Sequence, residues 1–188
     1  MTSPHDTDPG DASPRAIVTA GGCLYFALLT AGLAWLVWRE RLAALPERAV
    51  GEFGVPVAAV AGLAVGLAGA AVFAVGVRRL PAVAPIVAEA RRIFEPMGES
   101  AILVLVLLGA VAEEVFFRLA VQDRFGLTGS VAAYGLMSMC AMGWRWLPFA
   151  LLHALALGAL VRLGFGLLAS ATANAVMNYL CLRRMLNT

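Results

Sequence analysis

An all-α membrane bundle is the fold this sequence predicts, with about six transmembrane helices and one interfacial amphipathic helix. Three observations predict it. Hydrophobic residues make up 61% of the 188 residues and charged residues only 14%; soluble domains lie nearer a half and a quarter. Apolar runs close to the ~20 residues that a bilayer-crossing helix needs recur along the chain. Charges gather between those runs, with an exception at Glu113, Glu114 and Arg118.

Residues 1–14 are polar, acidic and proline-containing, and read as a disordered tail. The rest, residues 15–188, reads as a single transmembrane domain without an internal repeat. The first span covers about 16–38 and is stopped by Arg39, Glu40 and Arg41. It is long for a signal-peptide core, which predicts a retained helix. A second span over about 55–77 is rich in alanine, glycine and valine, and Gly62, Gly66 and Gly69 form a small-residue stripe against which another helix can pack closely. Residues 83–97 alternate apolar and charged at helical spacing, as an amphipathic helix at the interface does. Four further spans are expected over about 101–121, 127–143, 147–162 and 165–182. Trp144, Arg145 and Trp146 read as an interfacial anchor between two of them.

Arg15, Arg78, Arg79, Arg91, Arg92, Arg145, Arg183 and Arg184 fall on one side of this arrangement. Arg39, Arg41, Arg48, Arg118, Arg124 and Arg162 fall on the other. The larger group places both termini in the cytoplasm. A net charge of +2, dispersed along the chain, argues against a nucleic-acid partner. Cys23, Cys140 and Cys181 lie in apolar runs and read as buried free thiols. One histidine outside the tail and no HExxH motif leave no basis for a metal site, and no cofactor motif is present.

The third span reads AILVLVLLGAVAEEVFFRLAVQ. Twelve apolar or small residues precede Glu113, so the acidic pair lies within the membrane, where a carboxylate costs a few kcal/mol unless it faces a cavity or a partner. Arg118 lies four residues after Glu114 and can pair with it along one helix face. That pairing alone could be a packing device. It leaves Glu113 without a local partner, and the two acids together point to a functional site.

The segment EEVFFR resembles the first motif, EExxxR, of the CaaX protease and bacteriocin-processing family of glutamic-type intramembrane endopeptidases. The resemblance covers about residues 100–186. It implies a multi-pass protein of the bacterial cytoplasmic membrane that hydrolyses membrane-associated peptide or protein substrates, with the lipid bilayer as its other partner. On that resemblance Glu113 activates water, while Glu114, held by Arg118, orients the site. The family's FxxxH motif has its match at Phe149 to His153, which makes His153 the assisting imidazole. The segment NAVMN resembles the HxxxN motif, with Asn174 in the histidine position and Asn178 on the asparagine; the two amides would polarise the scissile carbonyl. AAYGLMS offers a second match to a histidine motif, with Tyr134 for phenylalanine and Ser138 for histidine. Phe117, Tyr134, Ser138 and Phe149 are the implied substrate contacts.

Depth discriminates between the two matches. At about 1.5 Å per residue, Glu113, Asn174 and Ser138 fall roughly 11–17 Å from the face where the third span ends. His153 and Asn178 fall roughly 20 Å from it, which leaves His153 about 9 Å from Glu113 in depth. Two other functions fit the acidic pair: a catalytically silent relative that binds a membrane peptide or stabilises a partner, and a proton pathway.

Overall fold

The computed structural model describes residues 13–187, and among these only helices and the turns between them occur. The expected disordered tail lies, for residues 1–12, outside the described residues. Ser13 and Pro14 belong instead to the first helix, α1 (Pro14–Trp38): the Ser13 hydroxyl accepts from the Ala16 N–H, and Pro14 occupies a position where no N–H is needed. A short α2 (Leu45–Val50), not foreseen from the sequence, precedes α3 (Gly54–Arg79). The amphipathic segment forms α4 (Ala84–Phe94), with Ile86 and Ala90 buried and an Arg92–Glu89 pair on its exposed side.

The acidic span begins as α5 (Glu99–Glu114), widens into a π-helix over Val115–Val121, and continues as α6 (Gln122–Met142). A left-handed Gly126 (φ 70°, ψ −177°) breaks α6 near its start, a conformation glycine adopts without a Cβ clash. The expected interruption between the third and fourth spans is therefore a kink rather than a loop. After α7 (Leu147–Arg162) a tight turn leads into α8 (Gly166–Leu186).

Four of these helical stretches, Pro14–Trp38, Gly54–Arg79, Glu99–Met142 and Trp144–Arg162, are long and apolar enough to cross a membrane. Phe26, Val60, Val72 and Leu152 point outward and are largely exposed on them. So many outward apolar side chains suit lipid rather than water. Cys23 and Cys140 share this outward position, contrary to the expected burial, because an apolar run in such a bundle can face lipid as readily as protein; Cys181 is half-buried.

The central element is α8, packed against α2, α3, α4, α5 and α7. The glycine stripe explains how. Gly62 lies against the Ala169 carbonyl and Thr172, Gly66 against the Ala173 carbonyl and Val176, and Gly69 against Met177. Small residues spaced by four on α3 thus meet small residues spaced by four on α8. This seam sets the rotation of α8, turning Ser170 and Asn174 toward the acidic span.

A Cβ at Gly66 would come within 2.9 Å of both the Ala173 carbonyl oxygen and Val176 Cβ. Gly66→Val is expected to destabilise the fold by about 1–3 kcal/mol through overpacking, as measured by thermal unfolding in detergent. Gly22→Ala, whose Cβ would meet nothing within 4 Å, should leave the midpoint unchanged.

Polar contacts tie each end of the bundle. At one end Asp123 receives Arg41 at 2.6 Å and Arg48 at 2.9 Å, and the Glu52 N–H donates to the Gly164 carbonyl. At the other, Tyr179 donates to Glu99 at 2.8 Å and Arg183 stands 3.8 Å from the same carboxylate. Glu113 and Glu114 lie between them.

Candidate functional site

The site begins where the α-helix gives way to the π-helix. A π turn closes its hydrogen bonds one residue later than an α turn, and such segments are found frequently at functional sites. Glu114 ends α5 and Arg118 lies inside the π segment. Arg118 Nε donates to Glu114 Oε2 at 3.2 Å, and its Nη1 donates to Ser130 Oγ at 2.8 Å. Ser130 in turn donates to the Phe117 carbonyl, at 2.9 Å. The predicted Glu114–Arg118 pair is present, and both side chains are fully buried.

Two carboxylates and one guanidinium removed from water require further donors. They come from α6 and α8. Asn174 Nδ2 donates to Glu113 Oε2 and to Glu114 Oε1, each at 3.1 Å, so a single amide bridges both acids. Ser170 donates to Glu114 Oε2, and Tyr134 donates to Glu113 Oε2 at 3.3 Å. Asn178 Nδ2 donates to Asn174 Oδ1 at 2.6 Å, which orients the bridging amide.

The two glutamates therefore differ in chemistry. Glu114 is wholly enclosed and receives Arg118, Ser170 and Asn174. Both hydrogen bonds to Glu113 land on Oε2, which leaves Oε1 open to a further partner. A carboxylate with one bound and one open oxygen can take a proton from a water held against it.

His153 enters from α7. Its ring centroid is 5.7 Å from that of Tyr134, and it stands beside the Asn174 amide without a well-formed hydrogen bond. Both ring nitrogens are buried and unpartnered. The ring makes no hydrogen bond to either carboxylate.

Other expectations are also revised. Asn174 gives both of its amide hydrogens to carboxylates, and Asn178 is turned onto Asn174, so the pair buttresses the acids rather than facing a carbonyl. Phe149 packs with Phe73 and Trp146 at centroid distances of 6.0 and 5.9 Å, in a separate aromatic cluster. Phe117 is buried against Tyr134, with ring centroids 5.0 Å apart, and acts as a packing partner of the site. Ser138 is buried one turn past Tyr134, but it is Tyr134 that bonds to the acid.

Ser130 and Ser170 were missed. Their signal was available as a period of four: Ser130, Tyr134 and Ser138 on α6, and Ser170, Asn174 and Asn178 on α8. Each triplet makes one polar stripe along a helix face.

Among the described residues no group of three or more histidine, cysteine or acidic side chains is placed to hold a metal ion. Comparison with known proteins finds no matching family model, curated protein or solved structure.

Proposed function

We propose that this protein is an intramembrane glutamic endopeptidase that hydrolyses membrane-associated peptide segments. Six segments would cross the bilayer: α1, α3, α5 with its π extension, α6 beyond Gly126, α7 and α8. The observation that carries the reading is the asymmetry of the acids, one enclosed by three donors and one with an open oxygen, in a cluster that also holds an unpartnered histidine. The EEVFFR resemblance to the CaaX protease and bacteriocin-processing family supports the same chemistry.

In this mechanism water sits against Glu113 Oε1 and attacks the scissile carbonyl carbon as Glu113 takes its proton. Glu114, neutralised by Arg118, holds the Asn174 amide in place and so positions Glu113. The N–H of a neutral His153 ring donates to the carbonyl oxygen as negative charge develops there. Glu113 then passes its proton to the departing amine.

The test is direct. Protein reconstituted in liposomes with membrane-anchored peptides of varied sequence should release new termini detectable by mass spectrometry; a panel left intact would remove the hydrolytic reading. His153→Ala should lower turnover by about 10²–10³, the usual effect of losing one oxyanion donor. Asn178→Ala, which only loosens Asn174, should reduce it far less. The reverse order would return the polarising role to the asparagines.

A second reading, a silent peptide-binding or partner-stabilising protein, is favoured by one observation: His153 makes no hydrogen bond to either carboxylate. It predicts that Glu113 and His153 substitutions leave partner association intact, measured by co-purification at equal protein level. Association lost together with proteolysis would count against it.

A further inference from the structure

The helix α1 lies along the acidic span in constant register. Gly21 lies against Leu105, Tyr25 against Gly109, and Gly32 against Val115 and the Phe116 backbone. The two helices therefore run parallel, and Tyr25 brings a polar side chain into their seam. A Cβ at Gly109 would come within 2.7 Å of Tyr25 Cζ and 2.9 Å of its hydroxyl oxygen. Glycine at 109 thus lets the end of the phenol rest on the α5 backbone. Gly109 lies four residues before Glu113 on the same face of α5. A helical side chain leans over the turn that precedes its own Cα, so Glu113 extends toward the turn on which the phenol rests. Tyr25 is near enough to Glu113 and to Tyr134 to interact with each electrostatically. Yet the hydrogen bonds to Glu113 come from Tyr134 and Asn174, and both end on Oε2. Glu113 keeps 7% of its surface exposed, against 0% for Glu114, and Tyr25 is half-buried.

We propose that Tyr25 holds the water at Glu113, its hydroxyl oxygen accepting one hydrogen of that water and Glu113 Oε1 the other. Two polar partners are enough to keep a buried water in place. With both hydrogens held, the lone pairs of the water oxygen point away from the acid and the phenol, toward a carbonyl entering the site. Tyr134 is not free for this role, because its hydroxyl is committed to Oε2. The first helix, which otherwise reads as a generic span, thereby contributes to the acidic site. Holding the water needs no turnover; its use in hydrolysis rests on the endopeptidase reading.

Solid-state NMR on full-length protein in lipid, with ¹³C in the glutamate carboxyls and the tyrosine Cζ positions, reads polarisation transfer from water protons to each carbon. Transfer from a slowly exchanging water to both the Glu113 carboxyl and Tyr25 Cζ is expected. Tyr25→Phe removes the hydroxyl and leaves the ring on Gly109, so the unfolding midpoint should hold while transfer to Glu113 falls several-fold. Gly109→Ala, which pushes the ring off its seat, should give the same fall; Gly22→Ala, whose Cβ meets nothing within 4 Å, should not. In the liposome cleavage assay Tyr25→Phe should lower kcat by about tenfold, the scale of one hydrogen bond, with KM unchanged. No transfer to Glu113 in the wild type would overturn the proposal. So would unchanged transfer in either folded variant, or an equal fall in Gly22→Ala. A lower kcat with unchanged transfer would give Tyr25 a packing role instead. The phenylalanine variant decides the matter if Gly109→Ala does not fold. A water signal that depends on Tyr25 in a protein that cleaves nothing would remove only the hydrolytic reading.

Discussion

Glu113→Gln is expected to lower turnover by about 10²–10⁴, the range for a positioned general base, while the protein remains folded. Glutamine keeps the shape of the side chain, and its amide oxygen can accept from Tyr134 and Asn174 as Glu113 Oε2 does now. What it loses is the ability to take a proton. Removing one of two adjacent buried acids also relieves repulsion, so the unfolding midpoint should hold or rise. The matched substitution Glu114→Gln should behave differently, because it leaves the buried Arg118 without its counter-ion. Turnover in the liposome assay, compared at equal protein level, separates the two acids. Equal turnover by Glu113→Gln and wild type would remove Glu113 as the base.

Arg118→Leu carries the largest expected effect on stability, a loss of about 3–5 kcal/mol. The guanidinium lies between Glu114 and Ser130, and both acids are in the same dry cluster. Without it, two carboxylates share a site with no cation among their hydrogen-bond partners. Lysine should not rescue the loss: a single ammonium cannot reproduce the planar fork that reaches Glu114 through Nε and Ser130 through Nη1. Replacing Glu114 and Arg118 together by leucine should recover part of the loss, since the uncompensated charge goes with the pair. Unfolding in detergent measures all three variants. Wild-type stability in Arg118→Leu would mean that the pair is hydrated rather than enclosed.

Much of this was legible in the sequence because lipid imposes coarse rules. Apolar runs marked the helices to within a few residues, and the misplaced charges of EEVFFR marked the buried acidic cluster. The glycine stripe on α3 correctly forecast a close helix contact, although its partner could not be known from spacing alone. Other features were hidden by particular physical causes. The helix that carries Ser170, Asn174 and Asn178 is the least conspicuous by hydropathy and falls outside the four strongly apolar stretches. Its polar side chains are satisfied inside the bundle, so the feature that joins it to the acidic pair weakens its membrane signal. The π segment has no local sequence signature. The roles of Asn174 and Asn178 turned on which hydrogens were already committed, and no spacing rule reports that.

The central claim is that two acids are kept in the apolar interior because one asparagine amide joins them. Solid-state NMR on protein in lipid, with ¹⁵N in the Asn174 amide and ¹³C in the glutamate carboxyls, measures that contact. Dipolar coupling from Asn174 Nδ2 to both the Glu113 and the Glu114 carboxyl carbons is predicted, each lost only in the corresponding glutamate-to-alanine variant. Coupling to neither carbon, with both carboxyls in rapid contact with bulk water, would contradict it.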